Sequence, residues 1–486
     1  MKDQKKLILL HSNDIHGDFN ESLRNDVKTG GLPRLSGFVH RTRQMEKNVI
    51  YAMAGDMFMG SIIDSEYRGF STIRLANAIE PDVFAIGNHE LDYGLSHLLF
   101  LEKCADFPII CGNIYIRELN RRLFSAYMDV IKDGVRVRFI GLLTESIAGR
   151  ISQEDIIDEA VRVRPALDEL SRISRETAYD PADITILLTH LGIEEDKILA
   201  SALDPGMNID FMIGGHSHTF MKEPLTVNGI PIVQAGFGSG QIGRFDISFD
   251  PAEGKIRDWS WQLLPVDENS CEEDPLVSFY LDRFQTETDR KYDQVLFTLP
   301  CAYLHTSFHK ESPLLDLFAD IFRECFSTDI FLVSSNILRA KELGPEVTRR
   351  DMMIALPYDN GVYELKLTGK RLKDMLSHIY RKESWEGANV FFLLSGSIKL
   401  KVRKEDKEIL SAEFKGQPLE ADRIYSVGIN TYAYRNMETF LGIPESALGE
   451  DVTIRRLSTN DKEDLETFFR TKDHFELENE GRLTLV

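Results

Sequence analysis

Short apolar runs alternate with amphipathic stretches along the first half of the chain. The apolar runs lie at 7–10, 49–54, 83–86, 135–143, 184–188 and 211–213. Their length and composition predict strands. Amphipathic stretches at 30–43 and 71–79 predict helices between them, and this interleaving indicates a layered α/β domain. Two further strands, at 232–235 and 244–249, are expected to close the domain as an antiparallel pair.

The amino-acid composition changes near residue 264, where a polar segment rich in turn-forming residues begins. The following stretch, 276–292, has helical periodicity, and we interpret it as a helix that connects two domains. Its apolar positions are Leu276, Phe279, Leu281 and Phe284. A chain of 486 residues is also too long for one ordinary core. The predicted organisation is a first domain at 1–265, a connecting segment at 266–294 and a second domain at 295–486.

A well-marked helix is expected near the start of the second domain. Ser312 can cap this helix, and Pro313 stands at its first position, where a missing N–H costs nothing. Apolar residues at 314–322 then supply one buried face.

Side chains that bind metal ions follow the apolar runs of the first half. They form five clusters: Asp14 with His16, Asp56, Asn88 beside His89, His190, and His216 with His218. Because ligands of α/β folds collect at the carboxyl ends of strands, we expect these clusters to form one site. The set is too large for one ion, and it suits two divalent ions that share a carboxylate. Paired ions of this kind hydrolyse phosphate esters.

The ligand types narrow the choice of metal. The two oxygens of Asp56, which follows Gly55 at a strand end, can each bind one cation. Imidazole nitrogen suits Zn, Mn, Fe, Co or Ni better than Ca or Mg. One cluster alone is a weak signal, because isolated pairs of this kind are more often surface or capping residues. Five clusters in order at strand ends predict two divalent ions, with Mn, Zn, Co and Fe as the candidates.

A candidate catalytic pair stands beside these ligands. Asp92 lies three residues after His89, a spacing that lets its carboxylate accept a hydrogen bond from the ring and fix the tautomer. A histidine held there can protonate a leaving oxygen or stabilise charge on a phosphoryl group. The alternative is that Asp92 only caps the following helix. Glu90 is expected to point elsewhere and to support a neighbouring backbone amide or ligand.

Charge and cysteine content restrict the class of protein. A net charge of -21 and a pI of about 5.1 argue against binding of a nucleic-acid polymer, which needs clustered positive charge. Five cysteines without a CxxC motif favour a reduced, cytoplasmic protein. Cys104 and Cys111 could pair, but two thiols are expected.

No apolar run approaches the roughly 20 residues of a membrane helix, so no membrane association is expected. The run after Lys2, Lys5 and Lys6 is too short for a signal peptide. A sequence from which a leader had been removed would look the same, and such a protein would lie outside the cytoplasm.

A glycine-rich motif in the first half invites a different interpretation. Residues 238–243 read GxGxxG, the pattern of a dinucleotide-binding loop. Such a loop must open a helix, whereas the alternation at 244–249 predicts a strand. We therefore expect a glycine-rich turn.

The motifs together resemble a known family. The segments 7–17 (LILLHSNDIHG) and 84–94 (FAIGNHELDYG) look like the two signatures of the 5′-nucleotidase/2′,3′-cyclic phosphodiesterase family, and 215–218 (GHSH) resembles its late histidine motif. This family belongs to the calcineurin-like metallophosphoesterases. The resemblance implies an α/β fold, with a four-layer α/β/β/α metallophosphatase domain and a smaller α+β C-terminal substrate domain.

The resemblance also assigns roles to individual residues. It implies that Asp14, His16, Asp56 and His218 hold one ion and that Asp56, Asn88, His190 and His216 hold the other. It makes His89 and Asp92 the catalytic pair and implies in-line attack of water held at the ions on phosphorus. Some relatives carry Gln or Asn at the position of His218, which leaves the metal preference open.

The second domain resembles the family less closely. The segment 347–360 resembles one that ends in Pro-Phe-Gly-Asn. Arg339 and Arg381 match substrate-binding arginines, and Phe391 and Tyr432 match aromatics that stack on a base, with core packing as the alternative for both rings. The family's Gly-Gly-Asp-Gly-Tyr after an Asn-Asp-Phe motif has no counterpart after Asn430.

Three functions follow as hypotheses. The first is hydrolysis of 5′-nucleotides to nucleoside and phosphate, with a small nucleotide or other phosphate ester as the partner. The second is cleavage of a diester or pyrophosphate, such as a cyclic nucleotide or nucleotide sugar, and the altered second domain motivates it. The third is an inactive nucleotide-binding protein, which the full set of metal ligands argues against. The sequence assigns no oligomeric state.

Overall fold

A computed structural model of the chain describes residues 4–147, 160–356, 360–387, 389–449, 452–476 and 481–486. The chain divides into two units, Met1–Thr288 and Asp289–Val486. This division falls inside the connecting segment 266–294 that the sequence analysis placed between the domains.

Two six-stranded sheets form the centre of the first unit, and their order is β17-β16-β1-β4-β5-β6 and β14-β15-β13-β12-β10-β9. Smaller ladders join β2 to β3, and β11 and β8 to β7. The strands are β1 Lys5–Ser12, β2 Ser22–Arg24, β3 Val27–Thr29, β4 Val49–Ala54, β5 Val83–Ala85, β6 Ile109–Ile110, β7 Ile114–Ile116, β8 Arg121–Arg122, β9 Tyr127–Lys132, β10 Val135–Leu143, β11 Val161–Val163, β12 Ile184–His190, β13 Phe211–Ile213, β14 Leu225–Val227, β15 Ile230–Val233, β16 Gln241–Asp250 and β17 Lys255–Pro265.

Helices cover the outer faces of both sheets. They are α1 Leu32–Met45, α2 Ile62–Glu66, α3 Phe70–Ile79, α4 Leu95–Cys104, α5 Ala166–Thr177 and α6 Ile193–Ala202. Strand β1 shows why the layers form, because successive side chains point to opposite faces. Leu7 and Leu9 belong to the core between the sheets, while Ile8 and Leu10 pack with α1 and α3. The predicted four-layer α/β/β/α fold is therefore confirmed.

The predicted closing pair at 232–235 and 244–249 is wrong. Strand β15 pairs with β13 and β14 in one sheet, whereas β16 pairs antiparallel with β1 and β17 in the other. The alternation of apolar residues identifies a strand, but it carries no information about which neighbour completes the hydrogen-bond ladder. The turn at 238–240 leads directly into β16, as expected for a glycine-rich turn rather than a dinucleotide loop.

The connecting helix α7 spans Pro275–Tyr292. Of its four predicted apolar positions, Leu281 and Phe284 pack with Val277 in the core of the first unit, whereas Leu276 and Phe279 are 51% and 55% exposed. Val277 and Leu281 lie four residues apart and share one side of the helix, which is the side that meets the core.

The second unit contains a five-stranded sheet of order β24-β20-β28-β23-β29 and a four-stranded sheet of order β27-β26-β25-β30, with two short ladders that join β18 to β22 and β19 to β21. Its strands are β18 Val295–Thr298, β19 Tyr303–Leu304, β20 Ile330–Ser334, β21 Glu342–Leu343, β22 Glu346–Thr348, β23 Val362–Thr368, β24 Phe392–Leu394, β25 Ile398–Val402, β26 Ile409–Phe414, β27 Gln417–Pro418, β28 Ile424–Asn430, β29 Val452–Ser458 and β30 Leu483–Leu485. Its helices are α8 Pro313–Cys325, α9 Arg349–Ala355, α10 Gly369–Ile379, α11 Lys382–Trp385, α12 Thr431–Arg435, α13 Met437–Leu441 and α14 Asp461–Phe469.

Helix α8 begins at Pro313, as predicted, but Ser312 does not cap it through its side chain. The Ser312 hydroxyl instead donates to the carbonyl of Leu304, 3.3 Å away. Cys104 and Cys111 are both free thiols. Among the described residues, none of the helices combines the length and the apolar character needed to cross a bilayer.

A buried ion pair anchors the C-terminal strand, and we predict that the second unit depends on it. The guanidinium of Arg482 is fully buried, binds the Asp320 carboxylate, and donates to the carbonyls of Asp316 and Leu394. Arg482→Met removes the buried counter-charge of Asp320 and the hydrogen bonds to both carbonyls, and it should cost about 3–5 kcal/mol of unfolding free energy. Urea unfolding followed by fluorescence measures this. The exposed ion pair of Arg403 supplies the control, and Arg403→Ala should cost below about 1 kcal/mol. An equal, small effect of both variants would contradict the prediction.

Candidate metal centre

The predicted metal ligands converge at the carboxyl ends of strands from both sheets. Asp14 follows β1 and Asp56 follows β4 in one sheet, while His190 ends β12 in the other. Because the two sheets are stacked, their carboxyl edges face the same opening. The loops after β5 and β13 add Asn88 and His216 to this opening.

Most of these ligands have left-handed backbone conformations. The φ angles are 52° at Asp14, 49° at His16, 54° at Asp56, 77° at His216 and 53° at His218. Such a conformation costs a non-glycine residue roughly 1 kcal/mol or more. It turns the chain sharply after each strand and directs the side chain back towards the opening. This backbone strain is concentrated on the predicted ligands. It indicates that these residues serve to place their side chains and that they do so at a cost to the stability of the fold.

One group of ligand atoms is formed by Asp14, His16 and His218. The Nε2 atoms of His16 and His218 are 3.7 and 3.5 Å from Asp14 Oδ1, and they are 2.9 Å from each other. Asp56 lies 3.8 Å from His16 through its Oδ2. These are the residues predicted to hold the first ion.

The second group is formed by Asp56, His190 and His216. His190 Nε2 lies 3.0 Å from Asp56 Oδ2, and Asn88 Oδ1 lies 2.6 Å from His216 Nδ1. These four residues are the predicted ligands of the second ion, and Asp56 is within reach of both groups.

The surroundings of His190 show whether this set of imidazole and carboxylate groups suits a cation. Its Nδ1–H donates to the carbonyl of Ala54 at 2.8 Å, which leaves Nε2 as the acceptor nitrogen. That atom is buried, makes no hydrogen bond and faces the oxygens of Asp56 and Asp14 at 3.0 and 3.8 Å. Carboxylate oxygens on this side of the ring call for a positive charge at Nε2. A proton supplies this charge in the metal-free site, and a divalent ion that prefers imidazole fits the same donor set.

The electrostatics of the site agree with this fit. Burial opposes charge on His190, but the carboxylates of Asp56 and Asp14 outweigh it and raise its pKa to about 9. Burial also disfavours ionised Asp56, yet His190 and His89 hold the pKa of Asp56 below its usual value. By contrast, burial lowers the pKa of His16 to about 4 against the opposing charge of Asp56. At neutral pH the His190 ring is therefore protonated in the metal-free site, and it releases this proton when its Nε2 binds an ion.

The predicted pair of His89 and Asp92 is formed. His89 Nδ1 lies 2.5 Å from Asp92 Oδ2, and the backbone N–H of His89 donates to Asp56 Oδ1 at 2.8 Å. The ring also lies within a group of ligand atoms that includes His16 and Asp56. Because Nδ1 is engaged by Asp92, Nε2 is the nitrogen left to act on a bound ester.

Glu90 is buried behind the site and supports the ligand loops, as predicted. Its carboxylate accepts the backbone N–H groups of Asp56 at 2.9 Å, Met57 at 2.8 Å, Phe58 at 3.3 Å and Gly87 at 2.6 Å. One side chain therefore fixes the loop after β4 to the loop after β5. A Cβ on Gly87 would stand 2.3 Å from Asp56 Oδ1, so this close approach requires glycine.

Two further residues support the ligands, and the sequence analysis missed their roles. Asn13 Nδ2 donates to Asp14 Oδ2 at 2.6 Å. Gln234 accepts from the Ser217 hydroxyl and from the N–H of Thr219, at 3.0 and 3.1 Å. Asn13 belongs to the signature segment 7–17. Its position in the sequence does not show whether it binds a metal ion itself or holds a neighbouring ligand by a hydrogen bond.

The predicted substrate residues have different surroundings in the second unit. Arg339 is exposed. Arg381 is partly buried and donates to the carbonyls of His378 and Thr439, at 2.5 and 3.2 Å. Tyr432 is 40% exposed and packs against Phe440 at 5.3 Å between ring centroids.

The structure corrects the assignment of Phe391. Its side chain is fully buried and packs edge-on against Tyr380 and Trp385. A ring in the core cannot stack on a base, so the alternative of core packing holds for this residue. Of the resembling segment 347–360, residues 357–359 lie outside the described part of the chain.

Each of the two units contains a segment that matches a known protein family. Residues 7–220 match the calcineurin-like phosphoesterase family, and residues 294–441 match the 5'-nucleotidase C-terminal domain. The chain is 26% identical to a 5'-nucleotidase of Vibrio vulnificus over 88% of this chain and 84% of the relative.

Two further comparisons differ in how much of the other protein they cover. The chain is 27% identical to endonuclease YhcR of Bacillus subtilis over 76% of this chain, but it spans only 32% of that relative. A 5'-nucleotidase precursor from Thermus thermophilus shares the fold over 99% of both chains, with a TM-score of 0.66 at 22% identity.

We predict that Glu90→Gln weakens both stability and metal binding. The introduced amide NH₂ faces backbone donors that the carboxylate accepted, so at least one buried N–H loses its partner, at about 1–3 kcal/mol. Loss of such a supporting residue typically lowers metal affinity about 10- to 100-fold. The measurements are urea unfolding of the metal-free protein and titration with Mn²⁺. Glu194→Gln, at an exposed glutamate, should leave both quantities unchanged. Unaltered Mn²⁺ affinity in Glu90→Gln would contradict the supporting role.

Proposed function

The chain belongs to the 5′-nucleotidase family of calcineurin-like metallophosphoesterases, and from this membership and the site geometry we propose that it hydrolyses 5′-nucleotides to nucleoside and inorganic phosphate. The relatives named as 5'-nucleotidases support the choice of substrate. The observation that carries the proposal is the juxtaposition of two groups of potential metal ligands, which share Asp56 within reach, with the pair of His89 and Asp92.

The ligands determine where the phosphate group binds. Asp14, His16, Asp56 and His218 would hold one divalent ion, and Asp56, Asn88, His190 and His216 would hold the other. When bound, two such ions supply Lewis acidity to phosphoryl oxygens and neutralise their charge. In a chain of net charge -21, a phosphate group needs this local positive charge.

His89 supplies the proton chemistry. Burial disfavours its charged form, but the hydrogen bond that its Nδ1–H donates to Asp92 and the charge of Asp56 outweigh burial and raise the pKa of His89. Asp92 holds the Nδ1 proton, so Nε2–H of the charged ring can donate to the phosphoryl group or to the leaving oxygen. In the overall reaction water adds its oxygen to phosphorus, the ester P–O bond breaks, and the leaving oxygen takes a proton.

A second candidate is cleavage of a phosphodiester or pyrophosphate. Its support is the segment after Asn430, where helix α12 places Tyr432 and Tyr434 instead of the family's glycine-rich motif. Tyr434 stacks on Tyr363 with ring centroids 3.9 Å apart and so fills space within the unit. A changed substrate pocket would admit a different ester while the metal chemistry stays the same.

Product analysis distinguishes these functions. The Mn²⁺-loaded protein is incubated with AMP, UMP, a nucleotide sugar, 2′,3′-cyclic AMP and bis-p-nitrophenyl phosphate. We expect free phosphate from AMP and UMP, and no turnover after treatment with a chelator. Turnover of the diesters or the nucleotide sugar alone would move the function to the second candidate. Nucleotide binding without any turnover would support an inactive binding protein.

We predict that His89→Ala lowers kcat for AMP about 10²- to 10⁴-fold, because the proton donor is lost. Steady-state kinetics measures this, and the Mn²⁺-induced rise in Tm should be retained, since the ligands stay in place. His97→Ala is the matched control, because His97 lies on α4 and bonds the carbonyl of Arg68. Its kcat should stay within about twofold of the wild type. A His89→Ala enzyme with normal kcat would refute the assigned role.

A further inference from the structure

A buried carboxylate lies beside the loop that carries the pair of His89 and Asp92. Asp64, on helix α2, is fully buried. Its Oδ2 accepts a hydrogen bond from the hydroxyl of Tyr93 at 2.6 Å. Tyr93 directly follows Asp92 in the chain, so this hydrogen bond fixes the loop at the residue next to one member of the pair. It lies outside the set of metal ligands and outside the pair itself.

Asp64 is itself held from several directions. The hydroxyl of Ser61 caps helix α2 and accepts the backbone N–H of Asp64 at 3.0 Å. The hydroxyl of Thr72, on α3, donates to Asp64 Oδ1, and the N–H of Met59 donates to Oδ2 at 2.8 Å. Burial raises the pKa of Asp64, and the donors Thr72, Tyr93 and Met59 oppose that rise. A buried carboxylate with three donors has little freedom to move, so it is a firm anchor for the Tyr93 hydroxyl.

The anchor joins two loops of the metal centre. Met59 lies in the loop after β4, which carries the proposed bridging ligand, whereas Tyr93 lies in the loop after β5. The ring of Tyr93 also packs near the ring of Phe58, with 6.3 Å between centroids. Glu90 fixes the same two loops close to the ligands. Asp64 fixes them a second time, next to the proposed catalytic pair.

The geometry of the pair requires that Asp92 is well placed. His89 Nδ1 and Asp92 Oδ2 are 2.5 Å apart, and a hydrogen bond weakens steeply when its partners move out of line. Asp92 is an exposed residue, so packing restrains it little. The restraint must come largely from the chain on either side of it, and on one side that chain is Tyr93.

We propose that Tyr93 is a positioning residue for the reaction, and that its hydrogen bond to Asp64 holds Asp92 against His89. This inference rests on the proposed function, in which His89 acts on the bound ester through Nε2. A loop that shifts by about 1 Å would turn the His89 ring away from the ester, and a misplacement of this size can lower a rate about 100-fold. The metal ligands have supports of their own, so metal binding should not depend on Tyr93.

The test removes only the hydroxyl group. Wild type and Tyr93→Phe, both loaded with Mn²⁺, are assayed with AMP. We expect kcat to fall about 5- to 100-fold, while KM stays within about twofold and the Mn²⁺-induced rise in Tm is unchanged. Tyr67→Phe is the matched control, because the Tyr67 hydroxyl also donates to a carboxylate in the same unit, that of Glu287 at 2.8 Å. Its kcat should stay within about twofold of the wild type.

A double-mutant cycle shows whether Tyr93 acts through Asp92. In Asp92→Ala the His89 ring has already lost its partner, so the addition of Tyr93→Phe should lower kcat by less than about twofold further. The same large fall in both backgrounds would overturn the proposal, because Tyr93 would then act on another group. An unchanged kcat in Tyr93→Phe would also overturn it. A lost response to Mn²⁺ would replace it by general support of the site.

A second variant covers the case in which Tyr93→Phe does not fold. Thr72→Val removes a different donor to Asp64 and loosens the same anchor. It should lower kcat in the wild-type background and leave kcat of Asp92→Ala unchanged. An unaltered kcat in Thr72→Val would then count against the anchor.

A spectroscopic measurement makes the test independent of turnover. In the protein loaded with Zn²⁺, which is diamagnetic, the proton between His89 and Asp92 should give a far-downfield ¹H NMR signal that Asp92→Ala removes. Tyr93→Phe should shift or broaden this signal, and Tyr67→Phe should leave it in place. An identical signal in wild type and Tyr93→Phe would overturn the positioning role. If the wild-type protein hydrolyses no ester, the proposed function fails, and this signal decides whether Tyr93 positions Asp92.

Discussion

The carboxylate of Glu90 is the interaction on which the site depends. It is buried, and it accepts backbone N–H groups from the loop that carries Asp56 and from the loop that carries Asn88 and His89. Burial raises the pKa of this acid to about 7, with the nearby charge of Asp56 acting in the same direction. The N–H donors oppose that rise and are themselves left without partners if the carboxylate is removed. The proposed catalytic histidine, His89, and the proposed bridging ligand, Asp56, thus share one fixed support.

The layered fold explains why such support is needed. Stacked sheets bring their carboxyl edges to one opening, but each strand must turn sharply there to direct a short side chain inward. The left-handed conformations of Asp14, His16, Asp56, His216 and His218 are the result. Each is unfavourable for a side-chain-bearing residue, and the hydrogen bonds of Asn13, Gln234 and Glu90 hold the loops in place. The carboxylates of Asp14 and Asp56 also repel each other at this distance, and a pair of cations would relieve that repulsion.

The sequence predicted the structure and the site residues of the first unit better than those of the second. In the first, the strands and helices that were predicted lie at nearly their observed bounds, since each buries one regular face. All seven residues predicted as metal ligands come together at one opening, because each of them follows an apolar strand. In the second unit Phe391 was assigned to substrate and lies in the core. A phenylalanine in a strand-like segment has the same local pattern in either role, and burial alone separates them.

The sequence by itself determined the longer strands of the first unit, the order of the candidate metal ligands along them, the pairing of His89 with Asp92, and the start of α8. These depend on periodicity and on spacings of a few residues, which the chain carries locally. Only the tertiary structure decided that β15 and β16 belong to different sheets, which face of α7 is buried, and that Tyr93 binds Asp64. These outcomes depend on contacts between residues far apart in the sequence. Such contacts are selected by packing and hydrogen-bond satisfaction across the whole unit, so no local pattern encodes them.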